Sequence, residues 1–170
     1  SACNRKCEFC LFGSDKRKFD FLKDELVLKI LQDLQAMNFA GEIAWYGINE
    51  PLLDKRISDI IKKTKDFLPM ATTVLTTNGD FLSQEMSDLL FNCGLDKLNV
   101  SIYDLKTDLK INSLIFPKEN VRLFNFFDEN KVEGYFVNID PIEIFSNRGG
   151  DLTFKEKTFD RSNYSCWRPY

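Results

Sequence analysis

Apolar and polar residues follow two different periods along the chain, and the period changes at short intervals. Apolar side chains recur three and four residues apart in three segments, which predicts amphipathic helices over 24–37, 54–67 and 84–91. Runs rich in β-branched and aromatic residues separate and follow them, which predicts strands over 42–46, 72–76 and 98–103. Gly41, Pro69 and Gly94 are the expected stops of the three helices, and Ser83 is the expected N-cap of the third.

Strand and helix alternate, which predicts an α/β fold with a parallel sheet. Beyond Asp104 the pattern weakens, and the expected elements are a helix over 108–116, a strand over 121–127, an extended segment over 132–145, a turn over 147–150 and an irregular segment over 151–165. Ligands of parallel sheets bind beyond the carboxyl ends of the strands. The polar residues at the carboxyl ends of the predicted strands are therefore the candidate site: Gly47 to Glu50, Asn78 and Ser101.

Composition narrows the class of protein. With 170 residues, 44% of them apolar, the chain is long enough for one packed domain. The net charge of -3 gives no electrostatic reason to expect a nucleic-acid partner. No apolar run approaches the roughly 18 residues of a membrane span, and there is no sign of an export signal, so we expect a cytoplasmic protein. The chain has no histidine, which excludes Ser-His-Asp and Cys-His catalysis and imidazole zinc sites.

Three of the five cysteines crowd together: Cys3, Cys7 and Cys10 have the spacing C-x3-C-x2-C. An odd number of cysteines without an export signal argues against a disulfide framework. Such a loop can hold three corners of a cube-shaped iron–sulfur cluster and leave one iron open for chemistry. The alternative is a structural zinc site completed by a distant cysteine. Cys93 follows an apolar helical stripe and is better explained as a buried small hydrophobe.

The cysteine triplet, with Phe9 directly before Cys10, resembles the signature of radical S-adenosylmethionine (radical SAM) enzymes. Further segments resemble motifs of that family and occur in the family's order: Gly47-Ile48-Asn49-Glu50-Pro51-Leu52-Leu53, Thr76-Thr77-Asn78-Gly79, Asn99-Val100-Ser101-Ile102-Tyr103-Asp104, Asn147-Arg148-Gly149-Gly150 and Cys166-Trp167-Arg168-Pro169. Asn49 departs from the family pattern, which has glycine at that position.

The resemblance implies a fold and a domain organisation. The fold is a partial (β/α) barrel of the TIM type with parallel strands, and its first strand is expected to precede the cysteines and to be missing from this chain. Residues 1–150 would form the radical SAM core. Residues 151–170 would begin a truncated C-terminal extension of the SPASM or twitch type.

The resemblance also implies cofactors and a reaction. Cys3, Cys7 and Cys10 would hold a four-iron, four-sulfur (4Fe–4S) cluster, whose open iron binds S-adenosylmethionine (SAM). Reductive cleavage of SAM would give a 5′-deoxyadenosyl radical that abstracts hydrogen from a substrate, either a peptide or protein or a small molecule. An electron donor such as flavodoxin or ferredoxin is implied, and Cys166 would ligate an auxiliary cluster in the full-length protein. The alternative function is a non-catalytic module whose cysteines bind zinc or a structural cluster.

Seven residues are implied as contacts of SAM: Phe9, Gly47, Asn49, Glu50, Asn78, Ser101 and Arg148. Glu50 would accept a charge-assisted hydrogen bond from the SAM ammonium, its alternative being a solvated loop carboxylate. Asn78 and Ser101 would bond the ribose or carboxylate, or else cap a turn and a strand end. Phe9 would lie near the adenine or fill the core. Arg148 would pair with the SAM carboxylate or a substrate anion, or remain a surface arginine.

Overall fold

Four parallel strands lie side by side in chain order in the computed structural model, which describes residues 2–7, 10, 20–117 and 119–125. The strands are β1 (Glu42–Ala44), β2 (Thr72–Thr77), β3 (Lys97–Ile102) and β4 (Val121–Asn125). The helices are α1 (Asp24–Ala36), α2 (Ile57–Phe67), α3 (Gln84–Asn92) and α4 (Leu105–Asn112). One helix connects each strand to the next, as in a partial (β/α) barrel. This confirms the predicted fold class.

The register of the sheet brings the ends of its strands together. Ala44 pairs with Val74, Thr77 pairs with Val100, and Ile102 pairs with Asn125. Because all four strands run in one direction, their carboxyl ends lie at one edge of the sheet. The loops that follow β1, β2 and β3 therefore meet at that edge.

The core lies between the sheet and its helices. Three strand residues are fully buried: Leu75, Leu98 and Val100. They share one apolar cluster with residues of α2, α3 and α4, namely Ile61, Leu90 and Ile111. A second cluster joins α1 to β1 and α2 through Leu31, Ile43 and Ile60. Side chains alternate along β3, so Asn99 and Ser101 lie on the face opposite Leu98 and Val100.

Two helices end through a residue with positive φ. After α1 that residue is Asn38, with φ of 52°, so the helix stops before the expected Gly41. The Phe39 amide donates to the Leu34 carbonyl at 3.0 Å, which satisfies a carbonyl at the helix end. After α3 it is Gly94, with φ of 100°, as expected. A side chain there would also bring Cβ to 2.5 Å from Lys65 Cγ.

Side-chain caps decide where the other helix boundaries fall. The predicted cap of α3 is confirmed, because Ser83 Oγ accepts from the Met86 amide at 3.2 Å. The fourth helix begins at Leu105 rather than 108, because Asp104 Oδ1 accepts from the Thr107 amide at 2.8 Å. The second helix begins at Ile57 rather than 54, because residues 51–53 form a short 3-10 helix and Asp54 accepts from the Arg56 amide.

The predicted segments beyond residue 125 lie outside the described residues. The same holds for Cys166, for the predicted end of the core at residue 150 and for the 151–170 extension. No helix in the described part of the chain has the length and apolarity that crossing a bilayer requires.

Candidate functional site

The loop that carries the cysteines lies against the carboxyl edge of the sheet. The Glu50 amide donates to the Ala2 carbonyl at 2.6 Å, which ties the start of the cysteine loop to the loop after β1. The Asn78 side-chain amide donates to Asn4 Oδ1 at 2.8 Å, which ties it to the loop after β2. Residues far apart in the chain are thus held at one site, where a parallel sheet is expected to bind its ligand.

The three clustered cysteines are free thiols and half-buried. Burial raises the pKa of Cys3 and of Cys7, and Coulombic repulsion from Cys10 adds to the rise at both. The Cys10 amide donates to the Cys7 carbonyl at 3.0 Å, which closes a turn between these two ligands. Cys93 is also half-buried and packs against the main apolar cluster, consistent with a small hydrophobic side chain.

This donor set suits a cluster better than one ion. Among the described residues, no group of three or more cysteines or carboxylates is arranged to hold a single metal ion. A four-iron cluster takes each thiolate at a separate corner, so its ligands stand farther apart than those of one zinc ion. Three soft thiolates on one partly exposed loop fit such a cluster.

Glu50 is buried, with an exposure of 2%, although it carries a carboxylate. Its Oε1 accepts from the Leu52 amide at 3.0 Å and from Thr77 Oγ1 at 2.7 Å. Its Oε2 accepts from the Asn78 amide at 2.8 Å. Burial raises the pKa of Glu50, and these three donors partly offset the rise. The interpretation as a solvated loop carboxylate is wrong. Glu50 fastens the loop after β1 to the end of β2 and keeps a lone pair on Oε2.

Asn78 and Gly79 form the turn that follows β2. Asn78 is 7% exposed, and its Oδ1 accepts from the Asp80 amide at 3.0 Å. Its side-chain nitrogen lies 3.9 Å from Cys3 Sγ. Gly79 has φ of 77°, and an added Cβ would lie 3.1 Å from Val100 Cγ1, so this turn requires glycine. Asn78 therefore orients the cysteine loop as well as its own turn.

Of the five remaining predicted contacts of SAM, three lie in the described part of the chain and two do not. Asn49 Oδ1 accepts from the Gly47 amide at 2.6 Å, so these two residues stabilise their own loop. Ser101 is half-buried near the end of β3, opposite Phe124 of β4. Phe9 and Arg148 lie outside the described residues.

A charged network beside the cysteine loop was missed by the sequence reasoning. Arg5, between Cys3 and Cys7, donates from Nε to Asp80 Oδ2 at 2.7 Å and from Nη2 to Asp104 Oδ2 at 2.6 Å. The same Nη2 donates to Thr107 Oγ1 at 3.0 Å. The signal was present, because Asp80 directly follows the Thr-Asn-Gly segment and Asp104 ends the next one. What could not be read was their pairing with Arg5.

The network borders an open cavity of about 540 Å³. Arg5, Asp80, Asp104 and Thr107 line it, together with Lys106 and Lys110. Lys110 Nζ donates to the carbonyls of Gly79 and Asp80 at 3.0 and 2.7 Å. Lys110 thus holds the main chain at Asp80, and the cap of α4 holds Asp104, independently of their contacts with Arg5.

Asp104→Ala is expected to lower the free energy of unfolding by about 1 kcal/mol at neutral pH, because α4 loses its N-cap. Hydrogen bonds from the Thr107 amide and from Arg5 hold the pKa of Asp104 at about 2, below its ordinary 3.8. The unfolded chain therefore binds the proton first as pH falls. The stability that Asp104 contributes is present above pH 3.8 and is lost as pH falls toward 2. Urea denaturation at several pH values measures this.

Asp104→Asn is the matched comparison, since asparagine also caps helices but carries no charge. Its unfolding free energy should lie between those of the wild type and Asp104→Ala at pH 7. The gap between the wild type and Asp104→Asn should narrow below pH 4 and close near pH 2. A gap that does not change with pH would contradict the assignment of the lowered pKa to Asp104.

The fold and the site define a class of protein: a parallel α/β sheet with a three-cysteine loop held over its carboxyl edge. The model of the radical SAM superfamily matches residues 1–129. The chain belongs to that superfamily. Members use a 4Fe–4S cluster together with SAM, which confirms the predicted pair of cofactors.

Relatives and solved structures agree with this assignment. The SAM-dependent 2-deoxy-scyllo-inosamine dehydrogenase of Niallia circulans is 33% identical over 102 residues, covering 59% of this chain and 41% of the relative. A GTP 3′,8-cyclase of Helicobacter pylori is 33% identical over 171 residues, covering 91% of this chain and 52% of the relative. The crystal structure of BtrN in complex with AdoMet and 2-DOIA is similar with a TM-score of 0.68 and 29% identity, over 74% of this chain and 53% of BtrN. The chain spans about half the length of these relatives.

Proposed function

We propose that this protein is a radical SAM enzyme that reductively cleaves SAM and abstracts hydrogen from its substrate. The observation that carries the proposal is the tethering of three free, half-buried cysteines over the carboxyl edge of the sheet, beside buried Glu50. When bound, the cluster and SAM supply the electron transfer and the 5′-deoxyadenosyl radical. The chain's own residues supply the binding and the orientation.

The cysteine loop supplies the binding of the cluster. Cys3, Cys7 and Cys10 hold three irons, and the loop after β1 and the Asn78 turn keep their thiolates in place. The amide of Asn78, 3.9 Å from Cys3 Sγ, also orients the first ligand. The contacts between the loop and the sheet edge would hold a bound cluster beside the strand ends.

Glu50 and Ser101 supply the orientation of SAM. The free lone pair of Glu50 Oε2 accepts the SAM ammonium. Burial raises the pKa of this carboxyl, and a cationic partner offsets the cost of burying its negative charge. Ser101 offers its hydroxyl to the ribose or carboxylate from the face of β3 away from the helices. Phe9 and Arg148 remain proposed contacts of the adenine and of a carboxylate.

A small molecule is the substrate class we favour. The relatives above carry the names of enzymes that act on GTP and on 2-deoxy-scyllo-inosamine. A peptide substrate, a flavodoxin- or ferredoxin-like electron donor, a C-terminal extension with an auxiliary cluster and a cytoplasmic location remain predictions of the resemblance.

Reductive cleavage can be tested without knowing the substrate. We expect the protein, reconstituted anaerobically with iron and sulfide, to become brown and absorb broadly near roughly 400 nm. With SAM and dithionite it should then form 5′-deoxyadenosine, measured by chromatography, and none should form without reductant. A cluster-loaded protein that never forms 5′-deoxyadenosine would leave the alternative of a structural cluster. A colourless protein that binds one zinc would leave the zinc module.

A further inference from the structure

We propose that Arg5 is a positioning residue for the cluster: it locks the cysteine loop to the loops after β2 and β3 and places a positive charge beside that loop. The inference rests on the proposed function, since it concerns the loop that holds the cluster. It assigns a role to a residue at a position that the cysteine motif leaves unspecified.

The position of Arg5 in the chain is the first observation. It lies two residues after Cys3 and two before Cys7, so anchoring its side chain restrains the segment between both ligands. Its side chain is only 20% exposed. Its guanidinium lies over the Tyr103 ring, 5.5 Å from the ring centre, and this contact restrains the orientation of the guanidinium.

The contacts of Arg5 are the second observation. It forms ion pairs with Asp80, through two nitrogens, and with Asp104, and it donates to Thr107. An arginine side chain stays protonated at every working pH, so these contacts are ion pairs throughout. A planar guanidinium can serve two carboxylates at once, whereas a lysine ammonium is a single point charge on a flexible stem. The geometry is therefore specific for arginine.

The anchors of Arg5 are themselves fixed, which makes the clamp effective. Asp104 caps α4, and the main chain at Asp80 is held by Lys110. Asn4 donates a second bond from the cysteine loop to Asp80. A loop fixed at both sides of Cys3 loses little further freedom when it binds a cluster, so the clamp lowers the entropic cost of holding it.

The charges of the clamp have opposite effects on a bound cluster. A positive charge near the cluster stabilises the reduced form, which is more negative, and a carboxylate destabilises it. Removing Arg5 is therefore expected to lower the midpoint potential, and removing the charge of Asp104 is expected to raise it. Both changes loosen the loop. Loop loosening alone does not predict opposite signs.

Arg56 provides a matched control. It also pairs with two aspartates, Asp54 and Asp24, and its guanidinium lies 6.0 Å from the centre of the Phe21 ring. In the described ranges its hydrogen bonds go to residues 22, 24 and 54, away from the cysteine loop. Arg56→Gln thus removes a comparable network from the same protein.

The experiment uses anaerobically reconstituted holoprotein, wild type and the variants Arg5→Gln, Arg5→Lys, Asp104→Asn and Arg56→Gln. Iron release to a chelator and the midpoint potential, followed by electron paramagnetic resonance, are measured for each. Arg5→Gln should release iron about tenfold faster, the factor that corresponds to losing one charged hydrogen bond. Its potential should fall, and that of Asp104→Asn should rise. Arg5→Lys should recover the potential more fully than the release rate. Arg56→Gln should match the wild type in both.

Each outcome has a meaning. Wild-type iron release and potential in Arg5→Gln would overturn the inference while leaving the proposed function intact. Equal changes in Arg5→Gln and Arg56→Gln would also overturn it, because they would show general destabilisation. If Arg5→Gln does not fold, Arg5→Lys and Asp104→Asn decide. Arg5→Lys must still change iron release more than it changes the midpoint potential, and Asp104→Asn must still raise the potential. A wild type that takes up no cluster refutes the proposed function itself.

Discussion

Alanine in place of Cys3, Cys7 or Cys10 is expected to abolish binding of the 4Fe–4S cluster. Each cysteine supplies one of the three protein ligands, and two thiolates do not hold a cube-shaped cluster in place of three. All three thiols are free and lie on one loop tied to the sheet edge, so each is available as a separate ligand. Iron and sulfide content after anaerobic reconstitution, with the visible spectrum, measures the loss.

Cys93→Ala is the matched control for these variants. Cys93 packs against the main apolar cluster at the end of α3, far along the chain from the cysteine loop. Iron content should stay at the wild-type level, with only a small loss of stability from the missing sulfur. Equal loss of iron in Cys93→Ala and Cys7→Ala would contradict a cluster held by three cysteines with one open iron.

Glu50→Ala is expected to weaken both the fold and the binding of SAM. The variant leaves the Leu52 and Asn78 amides and the Thr77 hydroxyl without their acceptor. A buried donor without a partner costs about 1–3 kcal/mol, so three such donors predict a loss of about 3 kcal/mol or more in the free energy of unfolding. Loss of the acceptor for the SAM ammonium should weaken SAM binding by about one to two decades, the range of a charged hydrogen bond.

Two measurements separate these roles of Glu50. Urea denaturation gives the stability, and equilibrium dialysis of folded, cluster-loaded protein gives the affinity for SAM. Glu42→Ala is the control: its carboxylate is 51% exposed on β1 and pairs with Lys97, so both quantities should change little. Unchanged stability in Glu50→Ala would contradict the structural role. Lost stability with unchanged affinity would contradict the role as acceptor for SAM.

The local patterns of the chain determined most of the elements. Three- and four-residue spacing placed α1 and α3 within one residue of their observed ends, and β-branched runs located β2 and β3. These predictions succeeded because helix and strand periods depend on neighbours within a few positions. The boundaries of α2 and α4 were missed, because the turn at Asp54 and the cap at Asp104 depend on single side-chain bonds.

The chemistry of the cysteine spacing was also readable from the sequence alone. Three thiols on one short loop define a ligand set by their order and separation, whatever surrounds them. The polar residues at the ends of β1, β2 and β3 were assigned to the site because a parallel sheet gathers its carboxyl ends. The role of each residue within that site could not be assigned in the same way.

Only the tertiary structure decided those roles. Arg5 meets Asp80 and Asp104 across 75 and 99 residues of chain, and Glu50 meets the Asn78 amide across 28. Each pairing depends on the packing that brings the cysteine loop and three strand ends to one edge, which no local pattern encodes. Burial has the same origin: Glu50 is a loop carboxylate by sequence, and the loops that close over it make it a buried acceptor that fastens β1 to β2.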